Sequence, residues 1–154
     1  MTPLIDVHLA TLADAEHLAR MSRAQIEQGL PWRWTPGRVA RFIRDRDTNV
    51  AVARENSGRA VGFGIMQYAE EEAHLLLFAV DPGHRRRGIG TAILSWLEAV
   101  ARAAGVSRVM LECRRDNAAA RDFYGALGYH ELAIVRRMYS GLEDGITLEK
   151  CLRQ

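Results

Sequence analysis

The chain is poor in the features that announce a specialised architecture. Its 154 residues include only two cysteines, Cys113 and Cys151. They lack C-x-x-C spacing and a partner set for zinc, so neither a metal ribbon nor a disulfide framework is expected. Both read as small buried hydrophobes in a reducing compartment. Four prolines and 13 glycines without any period exclude collagen-like and low-complexity chains. The longest strongly apolar run, Leu75–Val80, falls far short of the ~20 residues of a spanning helix. Asp6 and His8 near the start break any basic-then-apolar leader pattern. Lysine is nearly absent: Lys150 stands alone among 21 basic residues, and a bias in coding composition accounts for that. The net charge of +2 is too mild to argue for nucleic acid. These absences predict a soluble, cytoplasmic protein with no membrane, metal or nucleic-acid partner.

What is present is ordinary globular material, 48% hydrophobic and 26% charged, expected to form one domain over residues 1–154. Ile5, Val7 and Leu9 alternate as a strand. A helix is predicted from Thr11 to about Gln28, stopped by Gly29. Leu30–Pro36 reads as a loop, and Val39, Phe42 and Ile43 mark a shorter helix ending near Asp47. Strands are predicted over Asn49–Arg54, Ala60–Tyr68 and His74–Val80, the last following an acidic turn, Glu70–Glu72. Ile89, Ile93, Trp96, Leu97, Val100 and Ala104 share one face of a helix closed by Gly105. Val109–Cys113 is a strand, Asn117 caps a helix through Leu127, and Tyr129–Tyr139 and Ile146–Leu152 are final strands. The order predicts an α+β fold: a mixed central sheet of about seven strands flanked by about four helices.

One segment carries chemistry. Val80-Asp81-Pro82-Gly83-His84-Arg85-Arg86-Arg87-Gly88-Ile89-Gly90-Thr91 joins a strand to a helix. Its glycines admit close backbone approach, and a helix start offers unpaired N–H groups and a positive dipole end. Three arginines add charge, so the loop suits a pyrophosphate. It lacks the GxxxxGK[ST] of nucleotide P-loops, and no small residue completes a GxGxxG. Taken alone, a bare GxG would more simply be a surface helix cap.

Arg85-x-x-Gly88-x-Gly90 resembles the [RQ]-x-x-G-x-[GA] signature of the GNAT superfamily of N-acetyltransferases. The resemblance implies that Arg85, Arg86, Arg87, Gly88, Ile89, Gly90 and Thr91 bind the pyrophosphate of acetyl-CoA. It also implies that Phe78, Ala79 and Val80 bind the pantetheine arm, between splayed strands. A second run, Leu111-Glu112-Cys113-Arg114 followed by Asn117-x-x-Ala120-x-x-Phe123-Tyr124, is similar to the bacterial enzymes that acetylate a ribosomal protein's N-terminal alanine. By that similarity Glu112 is the general base, Tyr124 the general acid, and Asn117 a cofactor contact.

Elementary chemistry agrees with these roles, because amine acetylation needs one group to take a proton and another to give one to the leaving thiolate. Each residue also has a plainer reading: a solvent-facing strand Glu, a core Tyr and a helix-capping Asn. His74 is a rival base, eleven residues ahead of Arg85, where other members of the superfamily place a Glu. Its ordinary pKa of ~6.5 suits the task, and its plainer reading is a histidine at the core edge. Arg136-Arg137-Met138-Tyr139 resembles a substrate-holding hairpin of the alanine acetyltransferases, and Pro31-Trp32 another substrate loop, with Ser140 departing from the pattern. Trp32, His74 and Tyr139 are therefore the expected acceptor contacts. The acceptor is a primary amine, a peptide N-terminus or a small molecule. A non-catalytic CoA-binding module is the alternative, and the sequence serves a monomer or a homodimer.

Overall fold

The computed structural model describes residues 5–152. Its centre is a seven-stranded mixed sheet built from β1 (Val7–Leu9), β2 (Thr48–Arg54), β3 (Ala60–Tyr68), β4 (Glu72–Val80), β5 (Arg108–Arg114), β6 (His130–Tyr139) and β7 (Glu143–Cys151). The spatial order is β1-β2-β3-β4-β5-β7-β6. Every neighbouring pair is antiparallel except β4 and β5. Among the described residues there are four α-helices: α1 (Ala15–Gln25), α2 (Pro36–Arg44), α3 (Ile89–Ala103) and α4 (Ala118–Ala126). Among the described residues no helix is long and apolar enough to cross a membrane.

The sheet separates two apolar layers. Leu18 and Ala19 of α1 and Val39 and Phe42 of α2 pack on Val52, Phe63 and Ile65. Ile93, Leu94 and Leu97 of α3 and Tyr124 of α4 pack on Val61, Leu75, Val109 and Leu111. Helix α3 lies close against β3 because Gly62 and Gly64 present no side chain. A Cβ on Gly62 would meet Ile93 Cδ1 at 2.9 Å, Ile89 Cγ2 at 3.1 Å and Val80 Cγ2 at 3.3 Å.

Several expected boundaries shift for identifiable reasons. The first helix breaks in two: Leu12–Asp14 is a 3-10 turn, with the Thr11 N–H donating to Asp14 Oδ2 at 2.8 Å, and α1 stops at Gln25 rather than Gln28. Glu72 belongs to β4 rather than to a turn, because the Arg108 guanidinium across the ladder pairs with it at 2.9 Å. β7 begins at Glu143, so only Ser140, Gly141 and Leu142 separate the last two strands. The buried stripe of α3 is rotated from the expected one. It keeps Ile89, Ile93 and Leu97 and adds Leu94, Glu98 and Ala101, while Trp96 is half-buried and Ala104 exposed. Glu98 is tolerated at 4% exposure because Tyr129 Oη donates to one of its oxygens and Lys150 Nζ to the other, each at 2.8 Å.

Gly62→Ala is expected to destabilise the domain by about 1–3 kcal/mol, since three buried methyl groups must yield. Gly37→Ala, where a Cβ meets nothing within 4 Å, is the matched control and should be neutral or slightly stabilising. Urea denaturation of the two variants makes the comparison.

Candidate active site

The site begins where two parallel strands part. The β4–β5 ladder runs from Glu72↔Arg108 to Leu75↔Leu111 and stops there. On its other edge β4 carries a bulge: Ile65 pairs with Leu77 and Met66 with Leu75, leaving Leu76 as the extra residue. The bulge inverts the side-chain alternation. Ala73 and Leu75 pack on the α3 side, whereas Leu77 and Ala79 pack on the α1–α2 side, and Phe78 turns back towards α3. A strand of unbroken period two could not do this.

The gap opens into a cleft of about 470 Å³. Leu76, Leu77 and Phe78 form one wall, and Glu112, Cys113 and Arg114 the other. Tyr124 comes from α4, Tyr139 from the end of β6, and the segment 26–34 from the connection between α1 and α2. Tyr139 reaches the cleft through a second irregularity. Val135 pairs with Gly145 but Tyr139 with Glu143, so β6 holds extra residues. Arg137 takes a positive φ of 53° there, and its N–H donates to Asp144 Oδ1 at 3.0 Å.

Glu112 and His74 meet. They lie on the same face of adjacent strands, as the pairing of His74 with Met110 requires. His74 Nε2 is 2.6 Å from Glu112 Oε2 and 2.9 Å from Oε1. Their side chains are 41% and 28% exposed. The hydrogen bond to Glu112 raises the His74 pKa above its ordinary value, against the opposing effect of burial. Glu112 lines the cleft itself, while His74 stands beside it. Tyr124 is buried, and burial pushes its phenol pKa upward, as it does that of Tyr139. At neutral pH both are therefore proton donors. Burial also raises the Cys113 thiol to about 11, which makes it a poor nucleophile.

The loop between β4 and α3 has the expected helix-start geometry. Gly88 caps α3 in the left-handed region at φ 79°, and Arg86 has φ 65°. The first helical hydrogen bond is Ala92 N–H to Gly88 C=O, so the N–H groups of Ile89, Gly90 and Thr91 precede the ladder. Arg86, Arg87 and Thr91 are exposed. Arg85 has a bracing position: Nε donates to the Val80 carbonyl at 3.1 Å and Nη2 to Gln25 Oε1 at 3.3 Å. Gly90 seats the helix on the stacked rings of Phe78 and Phe123, where a Cβ would come within 3.2 Å of both. Asn117 lines the cleft and also caps α4, accepting from Ala120 N–H at 3.1 Å.

Trp32 is not part of the cleft lining. Its indole N–H donates to the Ala19 carbonyl at 3.3 Å, and the Arg23 guanidinium covers its ring at 4.8 Å. Trp34 lines the cleft instead, with Arg38 stacked on it at 4.2 Å. Two further residues, Arg114 and Glu27, also shape this wall. Arg114 Nη2 donates to the Gln28 carbonyl at 2.6 Å. Glu27, which a helical reading puts on a charged face, is buried. It accepts from Ser22 Oγ and from the N–H groups of Arg33 and Trp34 at 2.7–3.0 Å.

A sheet parted between parallel strands, a glycine-started helix below the gap and a carboxylate and phenol within it define a class of acyl-transfer domain. The acetyltransferase (GNAT) family profile matches residues 14–129, and the chain belongs to that family. It is 39% identical over 95 residues to the [ribosomal protein bS18]-alanine N-acetyltransferase of Escherichia coli K12, covering 60% of this chain and 64% of that one. The match thus spans a little under two thirds of that relative's length. The structure of the ribosomal-protein-S18-alanine N-acetyltransferase from Escherichia coli superposes with a TM-score of 0.81 at 28% identity, covering 98% of this chain and 96% of that one. Ard1 from Thermoplasma volcanium gives 0.86 at 25% identity, covering 97% and 99%.

Glu27→Ala would leave two inward backbone N–H groups without their acceptor. It is expected to cost about 1–3 kcal/mol of stability. Increased amide hydrogen exchange at Arg33 and Trp34 is the local readout.

Proposed function

We propose that this protein transfers the acetyl group of acetyl-CoA to the primary amine of a protein N-terminus. The observation that carries the reading is the Glu112 carboxylate on the open wall of the β4–β5 gap, with the Tyr124 phenol lining the same cleft. The relatives, alanine N-acetyltransferases of a ribosomal protein, support the acceptor class.

The residues fit the co-substrate. Below the gap, Ile89, Gly90 and Thr91 offer helix-start amides, and Arg86 and Arg87 add positive charge for a pyrophosphate. The backbone of β4 beyond Leu75 has lost β5 as its partner. Its N–H and C=O groups suit an extended arm that carries amides, as pantetheine does. Acetyl-CoA supplies an activated acetyl carbon and a thiolate leaving group.

The remaining chemistry belongs to the side chains. Glu112 takes a proton from the acceptor ammonium, freeing the nitrogen lone pair to attack the acetyl carbon. As the carbon–sulfur bond breaks, Tyr124 gives its proton to the thiolate sulfur; the second proton shed by the acylated nitrogen passes to solvent, from which the Tyr124 phenol is restored, and Glu112 releases the first. Among the described residues no hydrogen bond engages the Tyr124 hydroxyl, which leaves it available as a donor. A carboxylate deprotonates a peptide α-amine of pKa ~7.7–8.0 more readily than a lysine amine of ~10.4. Tyr139 and the 26–34 segment form the wall against which a peptide would lie.

CoA release is the assay, with short peptides bearing free or blocked N-termini beside polyamines, amino acids and aminoglycosides. Turnover restricted to free N-termini is expected, whereas turnover restricted to small amines, or none at all, rejects the proposed acceptor. Glu112→Gln should lower kcat by about 10²–10⁴-fold while acetyl-CoA still binds. Tyr124→Phe should slow the chemical step by ~10²-fold or more; an unchanged rate would assign the proton to water.

A further inference from the structure

The contact between His74 and Glu112 joins the two strands at the last rungs before they part. Glu112 lines the cleft and His74 does not, yet His74 Nε2 spans both carboxylate oxygens at 2.6 and 2.9 Å. We propose that His74 is a positioning residue that orients Glu112, so that the imidazole–carboxylate pair, rather than the carboxylate alone, acts as the base. The inference rests on the reading of Glu112 as the base, and it assigns His74 a role behind the acceptor rather than in contact with it.

The proton balance follows from the distances. Two acceptors at 2.6 Å would repel, so a proton lies between Nε2 and the carboxylate. With one proton in the pair, Nε2–H donates to Glu112, the imidazole is neutral and its Nδ1 is unprotonated. Glu112 keeps its negative charge and a free lone pair for the ammonium proton. With a second proton on Nδ1, the imidazole is cationic. That charge, held against Glu112, repels an ammonium acceptor. The productive form is the singly protonated pair, and its population rises as pH rises through the His74 pKa.

The surrounding charges favour the proton on His74 without replacing Glu112. Glu72 lies two residues away on β4 and adds a smaller attraction for it. Glu72 is itself held by Arg108 of β5, which also reaches Glu149 of β7 at 3.5 Å. On the cleft side Arg114 of β5 and Tyr139 of β6 lie near Glu112. From the α1–α2 side come Arg33 and Arg38, with the Glu27 carboxylate already engaged by backbone N–H groups. Gln67 of β3, opposite His74, carries no charge.

Glutamine separates orientation from titration. His74→Gln retains an amide donor for Glu112 but cannot take up the second proton, whereas His74→Ala removes both functions. The pH profile of kcat/KM is measured for wild type and both variants with one acceptor peptide, so the amine's own ionisation is common to all. Between pH 8.5 and pH 6 the ratio of the Gln variant to wild type should rise at least about fourfold. A histidine with a pKa above ~6.5 is less than one quarter neutral at pH 6. The Ala variant should lose kcat across the range, with partial recovery in the Gln variant. A ratio that stays flat overturns the proposal while leaving acetyl transfer intact. Absence of wild-type turnover with every amine overturns the activity instead. Nuclear magnetic resonance titration of the His74 ring tests the coupling without turnover. Its pKa should fall in Glu112→Gln, and an unchanged titration also overturns the proposal.

Discussion

Two β-strands that begin as partners and then separate govern this molecule. β4 and β5 share a ladder only as far as Leu75 and Leu111, and the bulge at Leu76 keeps β4 joined to β3 while its side-chain phase inverts. Backbone groups that a sheet would consume are left facing a cleft. The separation is stable because each strand is satisfied on its other edge, β4 by β3 and β5 by β7 along its whole length. The two apolar layers close over the sheet from opposite faces, so the gap does not expose the core.

Function is distributed around that gap by elements that are rigid for different reasons. The helix start at Gly88 is fixed by α3, whose approach depends on the bare backbone of Gly62 and Gly64. Tyr124 is held among the rings of Phe78, Phe123 and Tyr129. The 26–34 wall of the cleft is a connection without regular structure, yet Glu27 gathers its backbone inward and Arg114 ties it to β5. A buried carboxylate thus replaces the hydrogen bonds that a longer α1 would have supplied. Just before this connection, Gln25 at the end of α1 bonds Asp81 and Arg85 of the loop between β4 and α3.

Most of the sheet was legible because alternation is local. Ala60–Tyr68 emerges with its expected bounds, and the other strands shift only at their ends, β7 by three residues. Helix α3 was legible as a helix, and Ile89, Ile93 and Leu97 are buried as expected, but Glu98 was not legible as buried, since it enters the interior only when Lys150 and Tyr129 arrive from β7 and from just before β6. Asn117 and Gly88 were recognisable from their places at helix starts, and both cap as expected. Gly90 and Arg85 fall within the motif, yet one serves ring packing and the other braces a loop. Of the loop's two tryptophans, the sequence had no means to tell Trp32, which bonds α1, from Trp34, which lines the cleft.

The sequence by itself determined the strand and helix order and the glycine-started helix after β4, and its resemblance to a known family marked the candidate pair Glu112 and Tyr124. Each depends on residues close together in the chain. The tertiary structure alone decided that His74 and Glu112 share a hydrogen bond, 38 positions apart. It also decided that Leu76 interrupts its strand and that Glu27 turns inward. These features arise where distant segments meet, and their energies are those of buried polar groups finding partners. No local pattern of apolar and polar residues encodes which partner that will be.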